Sequence, residues 1–298
     1  MPGAVHSAYL SGPLVYRDYG GEGLPPALLV HGIGGAGINW MLLAPRLISR
    51  FHVIALDLPG FGESPLAGRG AGLDDQSELV IRFITEVGGA PALLVGHSMG
   101  GLITMMVSAA RPDLVHHAVL FDPAFPPTRS PAPGLPARVL DVLSSAPSLA
   151  GGIGRGLVGL RGAHTMVHET FRRTCVDGDR LPSDFVAAHV AAEAARMRIP
   201  GAYVGYMQGW RWFRDHFRGP EKLEAMIRTI GVPTLVIHGE QDPVVLPSAA
   251  HRLAELQPSW TMRFMENVGH NPNFEAPDAS AGAILAWLDG APRSTMPR

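Results

Sequence analysis

Short, unbroken apolar runs alternate along the chain with longer stretches whose apolar residues recur at helical spacing. The runs are residues 27–30, 52–56, 92–95, 118–121 and 234–238, each followed by a glycine, proline or polar turn, with 262–265 a further strand candidate interrupted by Arg263. Such a run predicts a strand covered on both faces, as in a parallel sheet. Residues 14–19 alternate instead, as an antiparallel strand does, and 20–23 turn it. Helical patterns lie near 39–49, over 74–87 with acidic residues at the start, from 102 to about 110, and near 277–288. Strand and helix alternating in this way predict an α/β fold, a mostly parallel central sheet flanked by helices on both faces.

The texture changes after Asp122-Pro123. Pro126, Pro127, Pro131, Pro133 and Pro136 break the pattern, residues 151–156 are glycine-rich, and 166–226 are helical with no strand between them. Strand logic returns at 234. The chain thus divides into a sheet domain, 1–123 and 229–298, interrupted by a helical insertion over 124–228. The last residues, 292–298, read as a frayed end.

Composition narrows the function classes. The 298 residues are 46% hydrophobic, enough for one large core or two modest ones, and 24 basic against 26 acidic residues leave a net charge of −2. Nothing suggests a nucleic-acid or acidic-lipid surface. Cys175 is the sole cysteine, so an internal disulfide and a zinc–cysteine cluster are excluded. Residues 1–6 lack the basic start and apolar run of a signal peptide, and no apolar stretch is long enough for a bilayer. The expectation is a soluble, cytoplasmic protein with a small-molecule substrate and no nucleic-acid or membrane partner; a homodimer is compatible with it.

The candidate chemistry centres on residues 92–101. An apolar strand ends at Gly96, an apolar helix begins after Gly101, and Ser98 lies between them in a G-x-S-x-G pattern. Such a strand–turn–helix holds its serine strained and exposed above the sheet, and needs small residues on either side. A serine hydroxyl is a weak nucleophile that needs a base, and the base needs a carboxylate to fix its tautomer. In this architecture the chain order is serine, acid, histidine. Asp242 and His270 follow in that order, each just past a strand, where an open α/β sheet gathers its site. Asp122 also ends a strand and is an alternative acid, although capping the next turn explains it as well.

Gly32-Ile33-Gly34-Gly35-Ala36-Gly37 is a literal G-x-G-x-x-G after a strand, and Asp57 follows at about the spacing of a ribose-binding acid. Three features count against a dinucleotide site. His31 before the first glycine better suits a turn lined with amide donors for an oxyanion. An antiparallel-looking strand comes first. The serine elbow would be left without a role. A second match, 154–159, has no strand before it.

These pieces resemble the α/β-hydrolase fold family in its cap-bearing subgroup. The resemblance is carried by His31-Gly32, by Asp57-Leu58-Pro59-Gly60-Phe61-Gly62-Glu63-Ser64, and by Gly96-His97-Ser98-Met99-Gly100-Gly101. It continues with Gly239-Glu240-Gln241-Asp242 and Pro247, then Gly269-His270 with Glu275 and Pro277. It implies a helical cap inserted after the sixth strand, Ser98 as nucleophile, His270 as base and Asp242 as its partner. It also implies an oxyanion hole from the backbone N–H groups of Ile33 and Met99; no cofactor is expected, and the 13 histidines are not expected to build a metal site with a carboxylate. The implied activity is a serine hydrolase acting on an ester, lactone or thioester of a small to medium hydrophobic substrate. Alternatives on the same fold are carbon–carbon bond hydrolysis of a vinylogous diketone, a cofactor-free cyclase or acyl transferase, and a ligand sensor. Relatives that cleave carbon–carbon bonds often have Asn where this chain has His97. Relatives that hydrolyse epoxides and haloalkanes use Asp where this chain has Ser98.

The remaining residues have plainer expected roles. Asp57 is expected to bond nearby backbone, His31 and His97 to support the site without acting as bases, and His238 to be a core histidine. His116 and His117 are expected on a solvated edge. Tyr203, Tyr206, Met207, Trp210, Trp212 and Phe213 form an aromatic cluster in the insertion, from which Tyr206, Met207, Trp210 and Trp212 are candidate pocket residues. Trp210 and Trp212 project to different sides of a helix, so one is expected in the core and the other at the pocket. Arg211 and Arg214 read as an exposed helix face.

Overall fold

The computed structural model describes residues 2–127, 143–199 and 201–290; Pro131, Pro133, Pro136 and the 292–298 end lie outside them. Eight strands form one sheet: β1 Ala4–Tyr9, β2 Pro13–Asp18, β3 Pro26–Val30, β4 His52–Leu56, β5 Ala92–His97, β6 Val115–Phe121, β7 Thr234–Gly239 and β8 Thr261–Met265. Their order is β1-β2-β4-β3-β5-β6-β7-β8. The β1–β2 and β2–β4 pairs are antiparallel and the other pairs are parallel, as the α/β reading requires. β1 has no counterpart in the sequence reading, because five of its six residues are exposed and it shows no buried stripe.

Although the central runs are apolar throughout, they still divide by alternate positions. Leu28, Val30, Ile54, Leu56, Leu94, Leu120 and Val236 pack on one face. Leu29, Val53, Ala55, Val95, Val119, Leu235 and Ile237 pack on the other. The first face is covered by α1 (Leu73–Phe83) and α2 (Met99–Ala110), through residues such as Val80 and Ile103. The second is covered by the segment around Trp40 and Leu47 and by Ile284 of the C-terminal helix. Residues 39–49 are not an α-helix: they form two 3₁₀ turns, Gly37–Trp40 and Ala44–Arg46. Pro45 has no N–H to donate, so a continuous helix cannot run through this stretch.

Between β6 and β7 the described chain is helical: α3 Pro147–Arg161, α4 Ala163–Thr174, α5 Ser183–Arg196, α6 Ala202–Phe217 and α7 Glu221–Arg228. Leu223 and Ile227 of α7 bury in the sheet's own core, so this last helix lies on the sheet. Trp212 of α6 joins the same core, donates its indole N–H to Asp74 Oδ2 at 2.8 Å and stacks on His216 at 3.8 Å. Trp212→Ala is expected to cost about 3–5 kcal/mol, read as a lower urea midpoint. An unchanged midpoint would contradict this core role.

Two further helices, α8 (Pro247–Leu256) and α9 (Pro272–Glu275), precede the C-terminal α10 (Pro277–Gly290). The strand order reverses between β4-β3 and β5, so the loops after β3 and β5 flank a crevice at the carboxyl edge. Val30 pairs with Gly96, Gly96 with Leu120, and Phe121 with Ile237, which levels the ends of four strands.

Candidate active site

Ser98 follows β5 directly and precedes the first residue of α2. Its backbone has φ 52° and ψ −115°, a conformation that a residue with a Cβ adopts only when its surroundings enforce it. The enforcement is visible. Ser98 N–H donates to the Phe121 carbonyl at 2.9 Å, and Ala124 N–H donates to the Ser98 carbonyl at 2.9 Å. A Cβ at Gly96 would stand 2.1 Å from the Gly100 carbonyl oxygen, and one at Gly100 would stand 2.1 Å from that of Val30. Only glycine lets strand, turn and helix approach this closely.

His270 and Asp242 lie on the loops that follow β8 and β7. His270 Nδ1 is 2.7 Å from Asp242 Oδ2. Oδ1 of Asp242 accepts the N–H groups of Val244 at 2.7 Å and Val245 at 3.0 Å. Burial alone would raise its pKa, but the His270 contact and these two donors bring it below the ordinary carboxylate value. With Nδ1–H given to this carboxylate, His270 keeps Nε2 as its basic nitrogen. The His270 backbone is also fixed: its N–H donates to the Thr174 carbonyl at 2.7 Å, and its carbonyl meets His97 Nε2 at 2.7 Å. Burial, then the neighbouring His270, lowers the His97 pKa to about 3, so its ring is neutral with the proton on Nε2. Glu275 accepts from the N–H groups of Gly269, Asn271 and Val176, clamping the histidine loop from the other side.

The turn after β3 comes close to the elbow: a Cβ at Gly32 would lie 3.0 Å from Ser98 Cβ. Gly35 N–H donates to the Gly32 carbonyl at 3.0 Å, and Gly34 takes φ 75° inside this turn. His31 Nδ1 also meets that carbonyl, at 2.7 Å, while Leu58 N–H donates to His31 Nε2 at 3.0 Å. Burial lowers the His31 pKa to about 4, so the ring is neutral and donates from Nδ1. The Gly32 carbonyl belongs to the same peptide unit as Ile33 N–H. Two donors on its oxygen therefore fix that unit and polarise its N–H. Met99 opens α2, so its own N–H has no intrahelical acceptor.

A cavity of about 530 Å³ joins these parts, with Ser98, His97, His270 and Ile33 on its floor. The insertion supplies much of the remaining lining, including Phe171, Arg196, Tyr203, Tyr206 and Met207. Another cleft, of about 650 Å³ near Leu42 and Arg180, contains neither Ser98 nor His270.

The Alpha/beta hydrolase family pattern matches residues 27–283. This chain belongs to the α/β-hydrolase family. Over 273 residues it is 31% identical to the 2-hydroxy-6-oxo-6-(2'-aminophenyl)hexa-2,4-dienoic acid hydrolase of Metapseudomonas resinovorans, covering 88% of this chain and 83% of that protein. A 113-residue stretch is 42% identical to the dihydrolipoyllysine-residue acetyltransferase component of the acetoin cleaving system of Pseudomonas putida, spanning 38% of this chain and 30% of that one. Among solved structures, a membrane phospholipase A described as a bacterial virulence factor superposes with a TM-score of 0.75 at 28% identity, covering 97% of this chain and 86% of that one.

Residues 32–36 line the same cavity as Ser98, and the acid at ribose-binding spacing is held by backbone. Asp57 is fully buried, with Oδ1 accepting Gly37 N–H at 2.6 Å and Oδ2 accepting Glu63 N–H at 2.8 Å. The pocket expectation divides. Tyr206 and Met207 line the cavity, whereas Trp210 and Trp212 do not. Trp210 lies one turn further along α6 than Tyr206, and Trp212 faces the core. The pocket side of α6 instead includes Tyr203.

His238 is buried, as expected of a core histidine, whereas His116 and His117 are half-buried against each other, with His117 also on Trp287, not a solvated edge. Arg211 and Arg214 both pair with Asp215; Arg211 is exposed as expected, whereas Arg214 is half-buried. Arg196 and Glu193 were not singled out by the sequence, since Glu and Arg at i and i+3 look like any solvated helix face. Asp122, His238, Asp242, His97 and His270 crowd their polar atoms closely enough to suggest a cation site. His97 Nε2, His238 Nε2 and His270 Nδ1 are hydrogen-bonded within the protein, whereas His97 Nδ1 and His238 Nδ1 are buried without a hydrogen-bond partner. No helix among the described residues is long and apolar enough to cross a membrane.

Proposed function

We propose that the chain is a serine hydrolase that cleaves an ester, lactone or thioester of a small to medium hydrophobic substrate, with the helical insertion as a cap over the cavity. In this reading Ser98 Oγ attacks the carbonyl carbon while His270 Nε2 takes its proton. Asp242 stabilises the imidazolium, and the N–H groups of Ile33 and Met99 receive the oxyanion. Collapse of the tetrahedral species returns the proton to the leaving group. Water, activated by the same histidine, then releases the acid from Ser98. The observation that carries the reading is the His270–Asp242 pair at 2.7 Å, opening on the same cavity as a serine held at φ 52°.

The test is steady-state and burst kinetics on p-nitrophenyl esters of increasing acyl length. Multiple turnovers with an acyl-enzyme burst are expected; stoichiometric product with no further turnover would leave a sensor. Each buried methylene contributes up to about 0.8 kcal/mol, so kcat/KM should rise from acetate to hexanoate. Met207→Ala, which truncates a buried cavity wall, should flatten that rise, with a stability cost of about 2–5 kcal/mol that is the same for every substrate. An unchanged chain-length profile would remove Met207 from the pocket. A second reading, carbon–carbon bond hydrolysis, draws support from the relative that is a dienoic acid hydrolase. Faster turnover of a vinylogous diketone than of any ester would favour it.

A further inference from the structure

The helical insertion touches the Ile33 turn at three points. Arg196, buried at the C-terminal end of α5, donates from Nη1 to the Gly34 carbonyl at 3.0 Å. Tyr206 of α6 lies against Gly34, whose added Cβ would meet its ring at 3.6 Å. Gly209, one turn on, leaves room for two side chains: a Cβ there would stand 3.2 Å from Ile33 Cδ1 and 3.6 Å from Met99 Sδ. Both residues whose N–H groups are the candidate oxyanion donors therefore seat under one glycine of α6.

Arg196 is itself held from behind. Its guanidinium pairs with Glu193 at 3.1 Å and lies 4.8 Å from the centre of the Tyr203 ring. The Tyr203 hydroxyl donates to Glu193 at 2.7 Å. Nε of Arg196 is buried and has no partner, so this guanidinium is an inefficient way to stabilise a fold. Its placement is accounted for by what Nη1 holds.

We propose that Arg196 is a positioning residue: through the Gly34 carbonyl it fixes the Gly32–Gly35 turn and the direction of Ile33 N–H, so that seating of the insertion sets how well an oxyanion is stabilised. This rests on the reading of Ile33 N–H as an oxyanion donor. Removing such a donor outright costs roughly 10²–10³-fold in kcat. Loosening its support should cost less, and should act on the transition state and not on substrate binding.

Arg196→Gln and Arg196→Lys test this, with ester kinetics and the affinity of an aryl boronic acid that forms a tetrahedral adduct on a nucleophilic serine. For Arg196→Gln, kcat and boronate affinity are each expected to fall about 10-fold, with KM within about twofold of wild type. Arg196→Lys keeps the charge beside Glu193 without the planar fork, and should lose about threefold in both quantities. It carries the test if Arg196→Gln does not fold. Unchanged kcat and boronate affinity overturn the proposal, as does a rise in KM alone, which would make Arg196 a substrate contact. Boronate binding as tight to Ser98→Ala as to wild type would overturn the reading of the site itself, and this inference with it.

Discussion

Ser98→Ala is expected to reduce kcat by about 10⁵–10⁶-fold, the scale on which serine–histidine sites lose turnover when the nucleophile is deleted. The loss corresponds to about 7–8 kcal/mol of transition-state stabilisation. Alanine retains a Cβ and must adopt the same φ of 52°, so the backbone strain persists and the melting temperature should barely move. Ser98→Gly removes that strain and should gain roughly 1 kcal/mol, while remaining as inactive as the alanine variant. Intact-mass analysis after fluorophosphonate treatment separates chemistry from stability. The wild type should gain one adduct, and both variants none. Labelling of Ser98→Ala at the wild-type rate would place the nucleophile elsewhere.

The elbow was legible in the sequence because its geometry is imposed by backbone contacts that only glycine permits, and glycines are visible as letters. Gly96 and Gly100 each face a carbonyl at a distance no side chain tolerates. The central strands were legible for a related reason: burial on both faces requires an unbroken apolar run. β1 was not, because an exposed edge strand such as Ala4–Tyr9 is defined by its pairing with β2 and leaves no pattern of its own. The roof of the site was legible only in part. Tyr206 and Trp210 look nearly equivalent on a helical wheel, yet only Tyr206 lines the cavity. Arg196 shows the same limit more sharply. Its partner is a carbonyl 162 positions away, which no local pattern announces.

Two buried carboxylates stand at the ends of β6 and β7, and exchanging each for its amide should give opposite results. Asp242→Asn is expected to lower kcat near pH 7 by about 10⁴-fold, the effect of presenting a catalytic histidine with the wrong tautomer. The local donors leave the amide no choice of orientation. Val244 and Val245 N–H already occupy the Oδ1 side, so the asparagine carbonyl must stay there and its NH₂ must face His270 Nδ1. The imidazole then carries its proton on Nε2, where a lone pair is needed.

Asp122 is different. Its Oδ1 accepts Gly239 N–H at 2.9 Å, its Oδ2 is buried without a partner, and it faces Asp242, His238, His97 and His270, with Glu275 acting at longer range. Burial, then the Asp242 charge, raises its pKa well above the ordinary value, whereas in the unfolded chain it titrates near about 3.9. Between those two values the folded state binds more protons than the unfolded state. Wild-type stability therefore declines as pH rises from about 4 towards the folded pKa. Asparagine reproduces the neutral acid, keeping a carbonyl for Gly239 and a donor where the proton was. Asp122→Asn should therefore keep most of its activity and become more stable than wild type at pH 7, an advantage that vanishes as pH falls to about 4. Urea midpoints at pH 4, 5.5 and 7 beside kcat for both amide variants decide the matter. If Asp122→Asn proved the more damaging to turnover, the orienting acid would be Asp122.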